Sequence, residues 1–162
     1  MAWKIRTAAE TDLDVVTEIE AACFPAAEAA TREEFAQRLR FYPNHFWLLE
    51  EDGRCVAFIN GMVSNEPVIL DEQYADASLH DENGAWQAIF GVDTLPEDRR
   101  NGCAARLMEQ VIADARVQGR KGCVLACKDK LIHYYEKFGY RSYGISSSVH
   151  GGVTWYDMRL EF

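Results

Sequence analysis

The spacing of apolar residues predicts the order of secondary-structure elements along the chain. Residues 2–8 (AWKIRTA) alternate apolar and polar side chains, which is the pattern of a half-buried β-strand. Between residues 11 and 24 the apolar positions recur every three or four residues, which predicts an amphipathic helix. Thr31 and Glu34 then form the capping-box pattern that opens a second helix. The N-terminal part is therefore predicted as one strand followed by two helices.

The middle of the chain changes to a strand pattern. Residues 45–64 predict two strands joined at Asp52 and Gly53, a pair typical of tight hairpin turns. Residues 65–84 are polar and rich in turn-forming residues, so we expect a long surface excursion there. Residues 85–94 (AWQAIFGVDT) are mostly apolar and predict a buried strand. This region therefore contributes three strands.

The C-terminal part alternates helices and strands. Apolar positions predict a helix over residues 102–118, and the wholly apolar run 122–127 (GCVLAC) predicts a buried strand of a parallel sheet. The last predicted elements are a short helix and two strands, at residues 131–138, 140–149 and 153–162. The predicted order is β-α-α-β-β-β-α-β-α-β-β in a single α/β domain over residues 1–162.

Composition and charge narrow the classes of function. The chain has 48% hydrophobic and 12% aromatic residues, which is typical of a folded globular domain. Its formal net charge of −9 argues against a broad nucleic-acid surface, which needs clustered Lys and Arg, and is compatible with a cationic substrate. No apolar run is long enough to span a membrane, and the start lacks a signal-peptide pattern. We therefore expect a cytoplasmic protein with no membrane contact.

Cysteine usage supports the same expectation. The five cysteines are odd in number and include no C-x-x-C pair. Neither a metal site nor a disulfide framework is predicted, because both need paired spacings. Free thiols in a reducing cytoplasm are expected.

A candidate anion site lies at residues 96–104 (PEDRRNGCA), where a predicted strand leads into a predicted helix. The first N–H groups of a helix lack internal partners, and a pyrophosphate can accept hydrogen bonds from them. Gly102 and Ala104 leave the backbone accessible, and Arg99 and Arg100 can add charge-assisted hydrogen bonds. The alternative is an ordinary exposed turn whose arginines pair with the two acidic residues before them.

The order of predicted elements around this motif resembles that of the GNAT superfamily of acyl-CoA-dependent N-acetyltransferases. The family motif Q/R-x-x-G-x-G/A matches residues 99–104, and a second motif, a Tyr followed by a Gly-aromatic pair, matches residues 135–140 (YEKFGY). Within the superfamily the sequence is most similar to the arylalkylamine (serotonin) N-acetyltransferase branch, over residues 19–39, 55–63 and 124–140. The resemblance implies a mixed central sheet of about seven strands flanked by about four helices.

The resemblance also implies roles for individual residues. Acetyl-CoA would be the acyl donor, and a bulge in the strand before the phosphate loop would expose backbone groups, including a Val92 N–H that polarises the thioester carbonyl. Tyr135 would be the general acid that protonates the departing thiolate. The residues implied to bind the donor are Val92, Thr94, Arg99, Arg100, Asn101, Gly102, Cys103 and Ala104.

The general base is not implied by the resemblance. Ala88 and Phe90 stand where the arylalkylamine branch has two histidines, and neither can accept a proton. Asp93 follows the opposite parity of the strand and is expected to point away. Either an ordered chain of water replaces the base, or the base comes from elsewhere, with His80, Glu82, Glu28 and His150 as the candidates. The walls of the acceptor pocket are expected from Phe24, Pro25, Phe58 and Trp155.

Three hypotheses about function stay open at this stage. The first is an N-acetyltransferase for a small primary amine or polyamine, the second acetylates proteins or peptides, and the third is an acyl-CoA-binding regulator that has lost its base. The final strand, if it lies at a sheet edge, could pair across a homodimer.

Overall fold

The computed structural model describes residues 2–162 and contains the predicted elements in the predicted order. The strands are β1 Trp3–Thr7, β2 Phe46–Glu51, β3 Arg54–Asn60, β4 Val63–Ser64, β5 Trp86–Ile89, β6 Gly91–Thr94, β7 Gly122–Cys127, β8 Arg141–Ile145 and β9 Tyr156–Glu161. The helices are α1 Leu13–Cys23, α2 Arg32–Phe41, α3 Asp71–Ala75, α4 Cys103–Val117 and α5 Ile132–Glu136. None of these helices has the length and apolar character needed to span a membrane.

The strands form two sheets, in the orders β1-β2-β3-β6 and β4-β5-β7-β9-β8. Strands β5 and β7 are parallel and every other pairing is antiparallel, so the predicted mixed α/β fold class is confirmed. The strand predicted at residues 85–94 is divided at Phe90. Its first half pairs with β7 as far as Ile89 and Leu125, and its second half pairs with β3.

The two sheets are joined where the chain crosses between them. β5 passes into β6 at Phe90, and β3 passes into β4 through Gly61. A Cβ atom on Gly61 would lie 1.9 Å from the carbonyl oxygen of Ala88, so only glycine allows the two crossings to pack together. Beyond this point β6 and β7 diverge, because each is hydrogen-bonded to a different sheet.

Helices cover both faces of the first sheet. On one face α1 and α2 pack against β2 and β3 through Val16, Ile19, Phe35, Leu39, Leu48 and Phe58. On the other face α4 packs through Leu107, Met108, Val111 and Ala115 against Leu49, Ala57 and Ile59. Fully burying one such side chain contributes about 1.5–3 kcal/mol, so these two layers hold the sheet in place.

The helix cap and the hairpin turn that the sequence predicts have the expected geometry in the structure. The Thr31 hydroxyl accepts a hydrogen bond from the Glu34 N–H at 3.1 Å, and the Glu34 carboxylate accepts one from the Thr31 N–H at 2.9 Å, which confirms the predicted capping box. Asp52 and Gly53 both adopt positive φ angles, 52° and 83°, between β2 and β3. That is the geometry of a tight hairpin turn.

Two predictions need correction. The excursion at residues 65–84 is not wholly irregular, because it contains α3, which buries Gln73. The final strand β9 lies between β7 and β8 and has no free edge, so the dimer contact predicted for it is wrong. The two edges of that sheet are β4 and β8.

Candidate active site

A cavity of about 810 Å³ opens where β6 and β7 diverge. Its walls come from both strands, from the first turn of α4, from α5, and from the segment that joins α1 to α2. Eight of the predicted site residues line it, namely Val92, Thr94, Arg99, Arg100, Gly102, Cys103, Ala104 and Tyr135. Asn101 is exposed and is not part of the wall.

The backbone at the start of α4 suits an anion. Arg100 and Gly102 both have positive φ angles, 69° and 79°. The first helical hydrogen bond runs from the Arg106 N–H to the Gly102 carbonyl at 3.1 Å, which leaves the N–H groups of residues 103–105 without a helical acceptor. Left-handed residues in such a loop turn successive N–H groups toward one concavity, which favours anions.

The arginines of this loop are not paired with the two acidic residues before them. The Asp98 carboxylate accepts a hydrogen bond from Arg54 at 3.2 Å. The Arg99 Nε donates to the carbonyl oxygen of Thr94 at 3.1 Å. The alternative of an ordinary turn closed by its own ion pairs is therefore not what the structure contains.

The backbone of β6 turns half of its polar groups toward the gap. The Leu95 N–H donates to the Val56 carbonyl at 2.9 Å, and the register with β3 continues unshifted to Gly91. Because alternate residues of an antiparallel ladder face the same neighbour, Val92 and Thr94 direct their N–H and C=O groups away from β3. The Thr94 carbonyl confirms this direction, since it accepts hydrogen bonds from Cys23 at 3.2 Å and Arg99 at 3.1 Å.

Tyr135 lies on α5 and is 7% exposed. Its ring contacts Tyr134 and Tyr140 edge-on, with centroids 5.1 and 6.0 Å away. Burial is the main cause that raises its pKa above the usual value of 10, and negative charge on neighbouring groups adds to it. The phenol therefore stays protonated at neutral pH, which is the state that can donate a proton.

The candidate bases divide into two groups. Glu28 and His150 line the cavity, where Glu28 forms an ion pair with Lys128 at 2.9 Å and His150 Nε2 donates to the Glu28 carbonyl at 2.8 Å. His80 and Glu82 are not in the wall, because they contact the buried His45 instead. Of the expected pocket walls, Phe24, Pro25 and Trp155 line the cavity, whereas Phe58 is buried in the core.

Sequence reasoning missed a pair of carboxyl groups beside the cavity. Glu20 lines it from α1, and Asp93, which points away from it as expected, is buried beneath Glu20. Burial raises the pKa of Asp93 well above its usual range, and the charge of Glu20 adds to the effect. The available signal was the position of Glu20 on the apolar stripe of α1, one turn after the buried Val16.

Taken together, the split strand, the open helix start and the buried tyrosine define a site of the acyl-CoA-dependent transferase type. The model of the acetyltransferase (GNAT) family matches residues 13–140. The chain therefore belongs to the acetyltransferase (GNAT) family, a family of acetyl-CoA-dependent acyltransferases, and the resemblance seen in the sequence is confirmed.

Individual relatives share less with the chain. Serotonin N-acetyltransferase of Mesocricetus auratus is 26% identical over 110 residues, which are 67% of this chain and 52% of that protein. The chain thus spans about half the length of this curated relative. The GphF GNAT-like decarboxylase in complex with isobutyryl-CoA has a TM-score of 0.84 at 24% identity, covering 98% of both chains. Naa50 of Arabidopsis thaliana, in complex with the bisubstrate analogue CoA-Ac-MVNAL, has a TM-score of 0.78 at 14% identity over the full length of both.

Proposed function

We propose that this chain is an acetyl-CoA-dependent N-acetyltransferase that acetylates a small primary amine, with Tyr135 as its general acid. The observation that carries the proposal is that one cavity brings Tyr135 together with the start of α4 and the free backbone edge of β6. Acetyl transfer needs a hold on the donor, a polarised thioester carbonyl and a proton for the leaving thiolate. Each of these features can supply one of the three.

The start of α4 would hold the pyrophosphate of coenzyme A. The N–H groups of residues 103–105 have no helical acceptor, and a Cβ atom on Gly102 would meet nothing within 4 Å, so the backbone there is open. Arg99 and Arg100 add positive charge to the same wall. The residues present therefore fit the group, and acetyl-CoA bound there supplies an acetyl group activated as a thioester.

Val92 and Tyr135 would act on the reacting end. A Val92 N–H directed at the thioester carbonyl stabilises negative charge as it develops on that oxygen, and removing such a donor costs roughly 3 kcal/mol. The pKa of a thiol is about 8.5, and that of a phenol is about 10. Tyr135, with its pKa raised further by burial, stays protonated and donates to the thiolate.

The far end of the cavity favours a small acceptor. Tyr74 of α3 stacks on His150 with ring centroids 4.7 Å apart, and Trp155 donates its indole N–H to the His150 carbonyl at 2.8 Å. All three side chains line the cavity, and the ion pair between Glu28 and Lys128 lies beside them. Residues of the long excursion and of the loop before β9 thus form part of the cavity wall, which supports a small acceptor over an extended peptide.

Peptide acetylation is the second candidate, supported by the fold that the chain shares with Naa50. In that case Tyr74, His150 and Trp155 would need to move to admit an extended peptide. An acyl-CoA-binding regulator is the third candidate, and the placement of Tyr135 in the cavity argues against it.

The deciding experiment is a coenzyme A release assay. The chain is offered acetyl-CoA or isobutyryl-CoA together with monoamines, polyamines, amino acids and short peptides, and acetylated products are identified by mass spectrometry. Turnover of a small amine supports the proposal, whereas turnover of peptides alone favours the second candidate. Tight donor binding by calorimetry, with no release for any acceptor, would favour the regulator.

A further inference from the structure

We propose that Glu20 and Asp93 form a carboxyl pair that holds one proton between them, binds the cationic amine of the acceptor and accepts its proton. This inference rests on the proposed function and supplies the general base that sequence reasoning did not find. It is carried by the position of the two side chains, by their lack of hydrogen-bond donors, and by the cavity that Glu20 lines.

The two carboxyl groups come from different elements and meet at one point. Glu20 lies on the buried face of α1, and Asp93 lies in β6 opposite Phe58, on the sheet face that α1 and α2 cover. A Cβ atom on Gly91 would lie 2.9 Å from Asp93 Oδ1 and 3.6 Å from Glu20 Oε1. Glycine at position 91 therefore leaves room for the two carboxyl groups, of which Glu20 lines the cavity and Asp93 lies behind the lining.

Three of the four carboxyl oxygens of the pair have no hydrogen-bond donor within residues 2–162. Glu20 Oε2 accepts a hydrogen bond from the Ala30 N–H at 2.8 Å. Glu20 Oε1 and both oxygens of Asp93 are buried and have no hydrogen-bond partner within residues 2–162. Asp93 is only 1% exposed, so water does not replace the missing donors over most of its surface. Two adjacent carboxylates cannot both ionise in such a place, and one shared proton satisfies both.

No charged neighbour donates a hydrogen bond to the pair. The positive charge of Arg38 on α2 partly offsets the rise in the pKa of Asp93, but its Nη1 donates to Asn60 Oδ1 at 3.0 Å and its Nη2 to the Tyr74 carbonyl at 2.8 Å. Cys23 of α1 donates to the Thr94 carbonyl instead. The titratable and charged groups that act on the pair are Cys23 on α1, Arg38 on α2 and Tyr135 on α5. With one proton shared, the pair keeps a single negative charge facing the cavity.

The pair can take part in transfer without any further reagent. The acceptor enters as an ammonium ion next to Glu20 and gives one proton to solvent to become the neutral amine. Its nitrogen then forms a C–N bond to the acetyl carbon as the C–S bond breaks. The second amine proton passes to the Glu20–Asp93 pair, the thiolate takes the proton of Tyr135, and exchange with water restores both groups. The products are the N-acetylated amine and coenzyme A.

This arrangement also sets the class of acceptor. A single buried negative charge attracts an ammonium group and repels a carboxylate close to it. The acceptor is therefore an amine without a carboxylate on the same carbon. We expect an amine to be acetylated at least 100-fold more efficiently, in kcat/KM, than the α-amino acid that differs from it only by that carboxylate.

The test compares Glu20→Gln and Asp93→Asn with the matched surface variant Glu18→Gln, which changes an exposed residue of the same helix. Glutamine at position 20 can still accept from the Ala30 N–H, so the loop contact is preserved. We expect Glu20→Gln to lower kcat about 100-fold, within the range typical of a lost general base, and to leave acetyl-CoA affinity within twofold. Asp93→Asn should change the acid limb of the kcat/KM profile, because the site then holds one carboxyl group in place of two.

Infrared spectroscopy gives a readout that does not depend on turnover. At pH 7 the wild-type protein should show a protonated-carboxyl C=O band that disappears in Asp93→Asn, shifts in Glu20→Gln because Asp93 stays buried, and is unchanged in Glu18→Gln. If the wild type acetylates amines but the band is absent, or if Glu20→Gln keeps the wild-type pH profile, the inference is wrong and the proposed function stands. If no amine is acetylated at all, the proposed function and the base role both fail.

Discussion

Two groups of titratable side chains, one around the buried His45 and one formed by Glu20 and Asp93, differ in how their polar atoms are paired. In the first, His45, His80 and Glu82 contact one another and Arg120, with N–O distances of 2.9–3.1 Å. In the second, Glu20 accepts one hydrogen bond, from the Ala30 N–H, and neither side-chain oxygen of Asp93 accepts any. Satisfied groups stabilise a fold, whereas buried unsatisfied groups persist where function needs them. We therefore interpret the histidine cluster as structural and the Glu20–Asp93 pair as the proposed functional group.

The hydrogen bonds of the histidine cluster also decide against a metal ion there. His80 Nδ1 accepts from the Val63 N–H at 3.0 Å, so the ring proton is on Nε2, the atom that faces Glu82 at 2.9 Å. The Gln87 amide nitrogen lies 2.8–3.3 Å from three backbone carbonyls, which turns its oxygen toward His45. Although the three side chains lie close enough to ligate a cation, the protonated nitrogen of His80 suits the carboxylate.

The largest effect should come from Tyr135→Phe, which tests the catalytic side of the comparison. Loss of the phenolic proton is expected to lower kcat by about 100- to 1,000-fold, the range for a lost general acid. Acetyl-CoA affinity, measured by calorimetry, should stay within about twofold, because the proposed phosphate contacts come from the start of α4 and not from α5, which carries Tyr135. The control is Tyr143→Phe on β8, which is 47% exposed and should retain full activity. An unchanged kcat across an amine panel contradicts the acid role.

The next effect should come from His45→Phe, which tests the structural side. The substitution removes the partner of Gln87 and of Glu82 in a position that is 1% exposed. Leaving the buried Gln87 oxygen unpaired should lower the free energy of unfolding by about 1–3 kcal/mol, as measured by urea denaturation. Turnover per folded molecule should be unchanged, and the exposed His133→Phe should have no effect on either quantity. A large loss of turnover in folded His45→Phe would mean that the histidine cluster is part of the active site.

A smaller effect is expected at the donor loop. Arg99→Ala and Arg100→Ala should each raise the Kd for acetyl-CoA about tenfold, corresponding to one charge-assisted hydrogen bond. The loss should shrink as salt is added, because exposed charges are screened. Arg141→Ala on the exposed edge strand β8 is the matched control. Equal affinity in all three variants would remove the arginines from the binding site.

The smallest effect concerns stability and its pH dependence. Because the pKa of Asp93 is raised in the folded state, the unfolded protein binds fewer protons than the folded one above about pH 4, and stability falls as the pH rises. Asp93→Asn removes this penalty and should raise the free energy of unfolding at pH 7 on the order of 1 kcal/mol, the value of one pKa unit. The difference should disappear below about pH 4, where the carboxyl group is protonated in both states. A variant less stable than the wild type at pH 7 would show that the pair is a structural contact.

Much of the site was visible in the sequence because it is local. The phosphate loop, its arginines and Tyr135 each belong to a short motif whose geometry depends on neighbouring residues, and the structure places them in one cavity. Asn101 was assigned with the rest of its motif but faces solvent, since the two left-handed residues around it turn the chain. His80 and Glu82 are candidate bases from the sequence because they precede the β5 strand, but in the structure they lie at His45 and not in the cavity wall.

The sequence by itself determined the order of elements, the hairpin turn, the helix caps and the family motifs, because these depend on periodicity and on contacts a few residues apart. Only the tertiary structure decided that β9 is an inner strand and that the strand at residues 85–94 divides between two sheets. It also brought Glu20 of α1 against Asp93 of β6. The physical reason is that pairing between strands and the approach of distant carboxyl groups depend on which hydrogen bonds and buried faces compete in three dimensions, and no local pattern records that competition.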